Sequence, residues 1–226
     1  MSLSLGASIK ILAVGDFHGN SGAEANLSKF LKRECDCLLL LGDLTNFGPP
    51  EVAESIIELA KNTNVPLFSV PGNCDPKSIV HVLEKHGVNI HGKCGKQGEV
   101  SFVGLGGSNL TPFQSLFELT EVEIQEELAS ATWDTGKMWV LITHAPPHGT
   151  KVDQIKEGTH VGSKSIRQYI EQKQPLVSFC AHVHEGRGTD HLGRTLIINP
   201  GPITNGYAAE VDIINAEKIN FQLLEL

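Results

Sequence analysis

The sequence predicts an α/β fold, a four-layer α/β/β/α sandwich in which two mixed sheets are flanked by helices. Three observations predict it. Apolar runs alternate three times with helical periods through residues 9–86, the pattern of a parallel sheet with crossover helices. Two more apolar runs, 137–143 and 176–180, are joined through a helical segment at 163–172. The chain then closes on three strand-like runs with no helix between them, 194–199, 207–214 and 218–224, which suggests an antiparallel portion.

Taken in order, Ile9, Ile11, Leu12, Ala13 and Val14 have the length and composition of a buried strand that ends on Gly15. The run spills into Asp16-Phe17-His18. Alternation on an extended chain would put the Asp16 carboxylate and the His18 imidazole on one side, with Phe17 turned away. Gly19 lets the backbone turn sharply behind them. Residues 23–33 carry apolar side chains at 23, 27, 30 and 31, a helical period. The strand at 36–41 ends in Gly42-Asp43. The helix at 50–62 has Pro50 in its first turn and Val52, Ile56, Ile57, Leu59 and Ala60 on its buried side. A third strand, 66–70, ends in Pro71-Gly72-Asn73-Cys74-Asp75, and the helix at 79–86 stops at Gly87.

Residues 88–90 and 99–105 read as strands around a turn marked by Gly92, Gly95 and Gly98. Residues 104–112 read as loop and 121–131 as an acidic amphipathic helix. The strand at 137–143 ends in His144-Ala145-Pro146-Pro147-His148-Gly149. An exposed loop is expected at 150–162, and the strand at 176–180 ends in Ala181-His182-Val183-His184. Residues 8–226 form one domain on this reading, with 1–7 as an N-terminal extension.

The bulk properties set limits on function. The 226 residues suffice to bury a proper core. No apolar run approaches the ~20 residues a membrane span needs, and the first residues lack the order of a signal peptide. Five cysteines (35, 37, 74, 94 and 180) form no regular framework, so reduced thiols and a cytoplasmic location are expected. A net charge of −8 without a basic stripe argues against stable nucleic-acid binding and suits a protein that gathers cations with carboxylates.

Five strand ends deliver metal-capable side chains: Asp16 with His18, Asp43, Asn73, His144, and His182 with His184. Singly, each has an ordinary explanation as a turn residue, a helix cap or a surface histidine. Jointly, seven such residues at strand ends that converge on one crevice point to a metal site. Seven donors exceed the needs of one tetrahedral ion and suit two ions, with Asp43 as the natural bridge between the groups. Two metals ~3.5–4 Å apart are an arrangement used for phosphoryl displacement. Imidazole and carboxylate donors without thiolate favour Mn, Fe, Zn, Co or Ni over a pure Mg site.

The ordered set D-x-H, G-D, G-N-x-D, H and x-H-x-H resembles the calcineurin-like metallophosphoesterases. Here it stands as Asp16-Phe17-His18, Gly42-Asp43, Gly72-Asn73-Cys74-Asp75, His144 and Ala181-His182-Val183-His184. The T-H-A-P-P-H-G and A-H-V-H-E-G stretches are most similar to the Icc-related branch. The resemblance implies one metal on Asp16, His18, Asp43 and His184 and a second on Asp43, Asn73, His144 and His182. It also implies a metal-bridging hydroxide as nucleophile, a small phosphate ester as substrate, and a phosphodiester before a monoester. A non-catalytic interaction scaffold on the same fold and a phosphomonoesterase or protein phosphatase are the alternatives.

This sequence departs from the family at Cys74, where many members carry a histidine thought to protonate the leaving group. Asp75 is expected to orient a histidine or the loop, or else to cap the helix at 79–86. Asn20, Asn73 and His148 are candidate substrate contacts, with surface or turn roles open for Asn20 and His148. Residues 199–202 are expected to shape the pocket edge without ligating. His81, His86, His91, His160 and His191 have no motif context and read as surface residues. The C-terminal strands offer an edge for pairing between subunits of a homo-oligomer.

Overall fold

The computed structural model describes residues 8–130, 136–156 and 158–226. The predicted extension at 1–7 and Ala131, the predicted end of the acidic helix, lie outside the described residues.

The chain opens with β1 (Ile9–Val14), α1 (Ser21–Phe30), β2 (Cys37–Leu40), α2 (Val52–Lys61), β3 (Leu67–Ser69) and α3 (Ile79–Lys85). It continues with β4 (Lys93–Gln97), β5 (Val100–Leu105), the short β6 (Ser108–Asn109) and β7 (Glu118–Leu119), α4 (Glu121–Ser130) and β8 (Trp139–Thr143). A short hairpin follows, β9 (Gln154–Lys156) and β10 (Thr159–His160), and then α5 (Lys164–Lys173) and β11 (Val177–Phe179). The last strands are β12 (Gly188–Leu192), β13 (Thr195–Asn199), β14 (Tyr207–Asn215) and β15 (Lys218–Glu225).

Two large sheets result. One has the order β15-β14-β1-β2-β3, and the other β12-β13-β11-β8-β5-β4. In the first, β1, β2 and β3 run parallel, with β14 and β15 added antiparallel. In the second, β5, β8, β11 and β13 run parallel between the antiparallel edge strands β4 and β12.

The layering follows from period-2 burial. Ile11 and Ala13 of β1, with Leu39 of β2, face the other sheet, where Phe102, Val140, Ile142, Phe179 and Ile198 complete the inner layer. Leu12 and Val14 turn the other way, onto Ala23 and Leu27 of α1 and Ile56 and Ile57 of α2. On the far side of the second sheet, Val103, Leu141 and Ile197 pack against Leu128 of α4 and Ile166 and Ile170 of α5. Each such fully buried aliphatic side chain contributes about 1.5–3 kcal/mol. The four-layer sandwich is the predicted fold.

Several expectations need correction. Residues 88–90 form no strand, because Asn89 and His91 make only single bridges to Ser69 and Gly104. The turn expected between 90 and 99 holds β4, an edge strand whose Gly95 lies where a side chain would strike Phe68. The predicted loop at 104–112 contains β6, paired with β7. β12 went unpredicted, and β13 joins the second sheet parallel to β11 instead of the antiparallel run. The segment 150–162 is not simply exposed, since Val152 and Asp153 are fully buried. Among the described residues, no helix is long and apolar enough to cross a membrane.

Candidate metal centre

The candidate ligands sit where β1, β2, β3, β8 and β11 end, and the turns that carry them are tight. Asp16 and His18 have φ of 57° and 50°, Asp43 has 50° and His182 has 68°. Left-handed backbone at a non-glycine residue costs about 1–3 kcal/mol, and such strain clusters at functional sites. Asp16 and His18 therefore converge through two left-handed turns, not through the strand alternation expected from the sequence. Phe17 does turn away, fully buried in the core beneath α1 and α2.

The two loops are zipped together by their backbones. Asp16 N donates to Gly42 O at 3.1 Å, and Phe17 N and His18 N both donate to Asp43 O, at 2.9 and 2.8 Å. Gly42 and Gly72 permit the closest approach. A Cβ on Gly42 (φ 96°) would lie 2.6 Å from Gly72 N, and one on Gly72 would lie 2.2 Å from Asp43 N.

All seven candidate ligands come together. His18 Nε2 lies 3.3 Å from His184 Nε2 and 3.8 Å from Asp43 Oδ2. His184 Nε2 lies 3.8 Å from Asp16 Oδ2. On the other side, His144 Nε2 lies 2.9 Å from Asn73 Oδ1 and 3.5 Å from Asp43 Oδ1, and its ring centroid is 5.2 Å from that of His182. The Asp43 carboxylate thus turns one oxygen to His18 and the other to His144. Asp16 belongs to both groups, since its carboxylate also clusters with Asp43 and His144. Cys74 lies close enough to His18 and Asp43 for its sulfur to join them, which the reading of a thiol-free donor set did not anticipate.

These donors fit divalent cations on the chemistry of the cluster itself. His144 Nδ1 contacts Leu41 O at 2.7 Å, and a carbonyl only accepts, so Nδ1 carries a proton. Without a cation the raised ring keeps a second proton on Nε2, facing Asn73 Oδ1 and Asp43 Oδ1; a cation that displaced this proton would meet three acceptors around one point. Asp16 Oδ2 is buried with no hydrogen-bond partner, and an uncompensated buried polar group is costly. Two donors on one ion at ~2.0–2.2 Å each must lie ~3–3.5 Å apart, the spacing found around His18 and His144.

The electrostatics agree. Burial pushes the Asp16 carboxyl up, opposed by the surrounding imidazoles. Burial also works against an ionised Asp43, but His144 and His18 hold its carboxyl well below the usual range. His144 would be depressed by burial, yet Asp43 and Asp16 raise it to about 9. The field there calls for positive charge. His182 is lowered to about 3 by burial and by His144, so it stands as a neutral imidazole ready to ligate.

The neighbours position this cluster. Asp75 is fully buried and accepts from Thr45 N (2.7 Å), Gly72 N (2.8 Å) and Leu44 N (3.2 Å). It ties the Asp43 loop to the Asn73 loop, and Ser78, not Asp75, occupies the N-cap of α3. Burial and the Asp43 charge push its carboxyl up to about 6. Asp75→Ala would strand three buried N–H groups, so a loss of at least ~3 kcal/mol is expected in urea denaturation. An unchanged midpoint would refute this.

Cys74 sits beside the cluster, its thiol pushed up by burial and by the Asp43 carboxylate. Its N–H donates to Asp43 Oδ1 at 2.8 Å. Asn20 is the N-cap of α1, its Oδ1 accepting from Gly22 N at 2.7 Å, so that oxygen is engaged locally. His148 is half-buried, 5.9 Å from the ring of His160. Asn199, expected only to shape the pocket edge, has a more definite role. Its buried amide donates to Val183 O at 2.8 Å and fixes the loop between His182 and His184. The only signal was its place between a strand and Pro200-Gly201-Pro202. His91 and His160, read as surface residues, have partners: Gly106 N donates to His91 Nδ1 at 2.9 Å, and His160 pairs with Asp153.

Residues 50–224 match the family model described as "Metallophosphoesterase, calcineurin superfamily". The chain is 39% identical over 199 residues to the uncharacterized protein MJ1162 of Methanocaldococcus jannaschii, covering 86% of this chain and 88% of that one. Among solved structures it resembles TT1561 of Thermus thermophilus, with a TM-score of 0.73 at 19% identity, covering 96% of this chain and 99% of that one. It also resembles a dimetal phosphatase from Danio rerio, with a TM-score of 0.60 at 11% identity, covering 96% and 98%. At those identities the structural likeness speaks for the fold alone.

Proposed function

The chain belongs to the calcineurin superfamily of metallophosphoesterases, and from that premise we propose that it is a dinuclear phosphodiesterase acting on a small phosphate ester. The observation that carries the reading is the split Asp43 carboxylate, one oxygen facing His18 and the other His144. Asp16, His18, His184 and Asp43 would hold one ion, and Asp43, Asn73, His144 and His182 the other. When bound, two divalent cations supply Lewis acidity at phosphorus and lower the pKa of water.

The protein supplies the rest. Leu41 O fixes the His144 tautomer, so Nε2 faces the cluster. Asp75 and Asn199 hold the loops, and the imidazoles of His18 and His184 form the exposed side through which an ester enters, with side chains 24% and 43% exposed. A net charge of −8 repels a doubly charged monoester more than a singly charged diester. The raised Cys74 thiol is a poor acid, which favours esters whose alcohol leaves readily.

The test is hydrolysis of bis(p-nitrophenyl) phosphate against p-nitrophenyl phosphate, with chelator-stripped protein given Mn²⁺. Diester cleavage restored by metal and exceeding monoester cleavage is the expected result. Faster monoester cleavage would overturn the diester preference. No cleavage of either ester with metal demonstrably bound would leave the interaction-scaffold reading in its place.

A further inference from the structure

We propose that His160, held by the buried Asp153 carboxylate, delivers the proton that the leaving oxygen of the ester needs, an inference that rests on the phosphoesterase reading above. Asp153 is fully buried and accepts from Gly149 N (3.0 Å), Thr150 N (2.8 Å) and Gly162 N (3.0 Å). Its Oδ1 lies 2.8 Å from His160 Nδ1. Three backbone donors keep the carboxylate in place, and the contact fixes a proton on Nδ1. That leaves Nε2 as the outward, exchangeable position of a side chain that is 30% exposed. The His148 ring stands beside it, 5.9 Å away and tilted by 52°.

The hairpin that carries the pair packs against the turn that begins at His184. It occupies the loop that begins at His144. The turn carrying Asp153 presses on the turn that begins at His184, so closely that a Cβ on Gly186 would lie 2.1 Å from Val152 O. Asn199 holds both turns, donating to Val152 O at 3.5 Å and Val183 O at 2.8 Å. From the opposite side, Asn109 of β6 donates to Val161 O at 3.0 Å, and Phe117, just before β7, donates to Asn73 O at 3.0 Å. The hairpin that carries this carboxylate-oriented imidazole is therefore tied to the His184 turn through Val152 and, through Val161, to the ribbon behind Asn73.

The proposed step balances simply. Water adds its oxygen to phosphorus, and the P–O bond to the leaving group breaks with its electron pair going to the alkoxide. The alkoxide takes the Nε2 proton of the His160 imidazolium, and the proton lost by the attacking water restores it through solvent. Asp153 orients the ring and stays ionised; it is a positioning residue.

The experiment compares the Mn²⁺-loaded wild type with His160→Asn and His148→Asn on methyl aryl phosphodiesters, from a p-nitrophenyl to an unsubstituted phenyl leaving group. Asn keeps a donor for Asp153, so the melting temperature of His160→Asn should be retained. The expected result is a ~100-fold or greater loss of kcat on the phenyl ester with at most a ~3-fold loss on the p-nitrophenyl ester, the size and selectivity of general-acid catalysis. His148→Asn should show no such selectivity. Equal losses on both esters, no loss, or selectivity that follows His148 would overturn the proposal. A second readout does not depend on turnover or on a variant that folds. In imidazole ¹H–¹⁵N spectra of the Zn²⁺-loaded wild type, inorganic phosphate should move the His160 Nε2 resonance, and an unmoved resonance would overturn the proposal. A wild type that cleaves no ester would instead overturn the phosphoesterase reading itself.

Discussion

Asp43→Asn is expected to lower kcat/KM for a diester by ~10³-fold or more, at the upper end of what removing one electrostatic stabiliser of a transition state costs. Metal content should fall with it. The substitution removes one charge and makes one of the two donor atoms an NH₂ group, which cannot ligate. Its local backbone contacts can be kept. The amide oxygen can still accept from Cys74 N, which lies 2.8 Å from Asp43 Oδ1. Asn also tolerates the left-handed φ of 50° that this position requires. The metal-free variant should still fold, with a melting temperature below that of the metal-free wild type, because His144 and His18 lose the carboxylate beside them. Elemental analysis after desalting, read beside the diester assay, decides the matter. Full activity with an unchanged metal count would sink the shared-carboxylate assignment.

Much of this centre is legible in the sequence, for a physical reason. Buried parallel strands read as continuous apolar runs, and their carboxyl ends must break into polar residues. Asp16, Asp43, Asn73, His144 and His182 each follow such a break, so spacing alone located them. What spacing could not give was the backbone geometry. Extended alternation predicted that Asp16 and His18 would converge, and the chain achieves this with left-handed turns instead. Asp and His enter that region more often than most residues, yet the residue type alone does not announce a φ near 50° at a given position.

The missed elements share a different cause. β4 and β12 are edge strands with glycine, charged residues and little burial, so they lack the apolar signal of the inner strands. The buried turn at Asp153 was hidden because its stability comes from backbone N–H groups converging on a carboxylate. Such an arrangement leaves no hydrophobic period. His160 looked like a surface residue for the same reason: its partner is seven positions away across a hairpin that sequence did not predict.

The closest packing in the centre gives the second large effect. Gly72→Ala is expected to lower kcat/KM by ~10²-fold, as small misplacements of reacting groups do. It should also destabilise the fold by about 1–3 kcal/mol through overpacking. A methyl group there would lie 2.0 Å from Asp43 Oδ1, 2.2 Å from Asp43 N and 2.6 Å from Asp43 Cγ. No side-chain rotation relieves a clash with the Asp43 backbone. The Asn73 loop must move away from the Asp43 loop, and the Gly72 N–H that donates to Asp75 at 2.8 Å moves with it. The two carriers of the second group of donors then separate. Gly48→Ala, in the loop that follows Asp43, is the control, because its added methyl would meet nothing nearer than Asn46 O at 3.9 Å. It should change stability by no more than ~0.5 kcal/mol and leave diester cleavage intact. Thermal melts and diester kinetics on both variants test the argument. Wild-type kinetics in Gly72→Ala would mean that the contact between the two loops does not set the metal geometry.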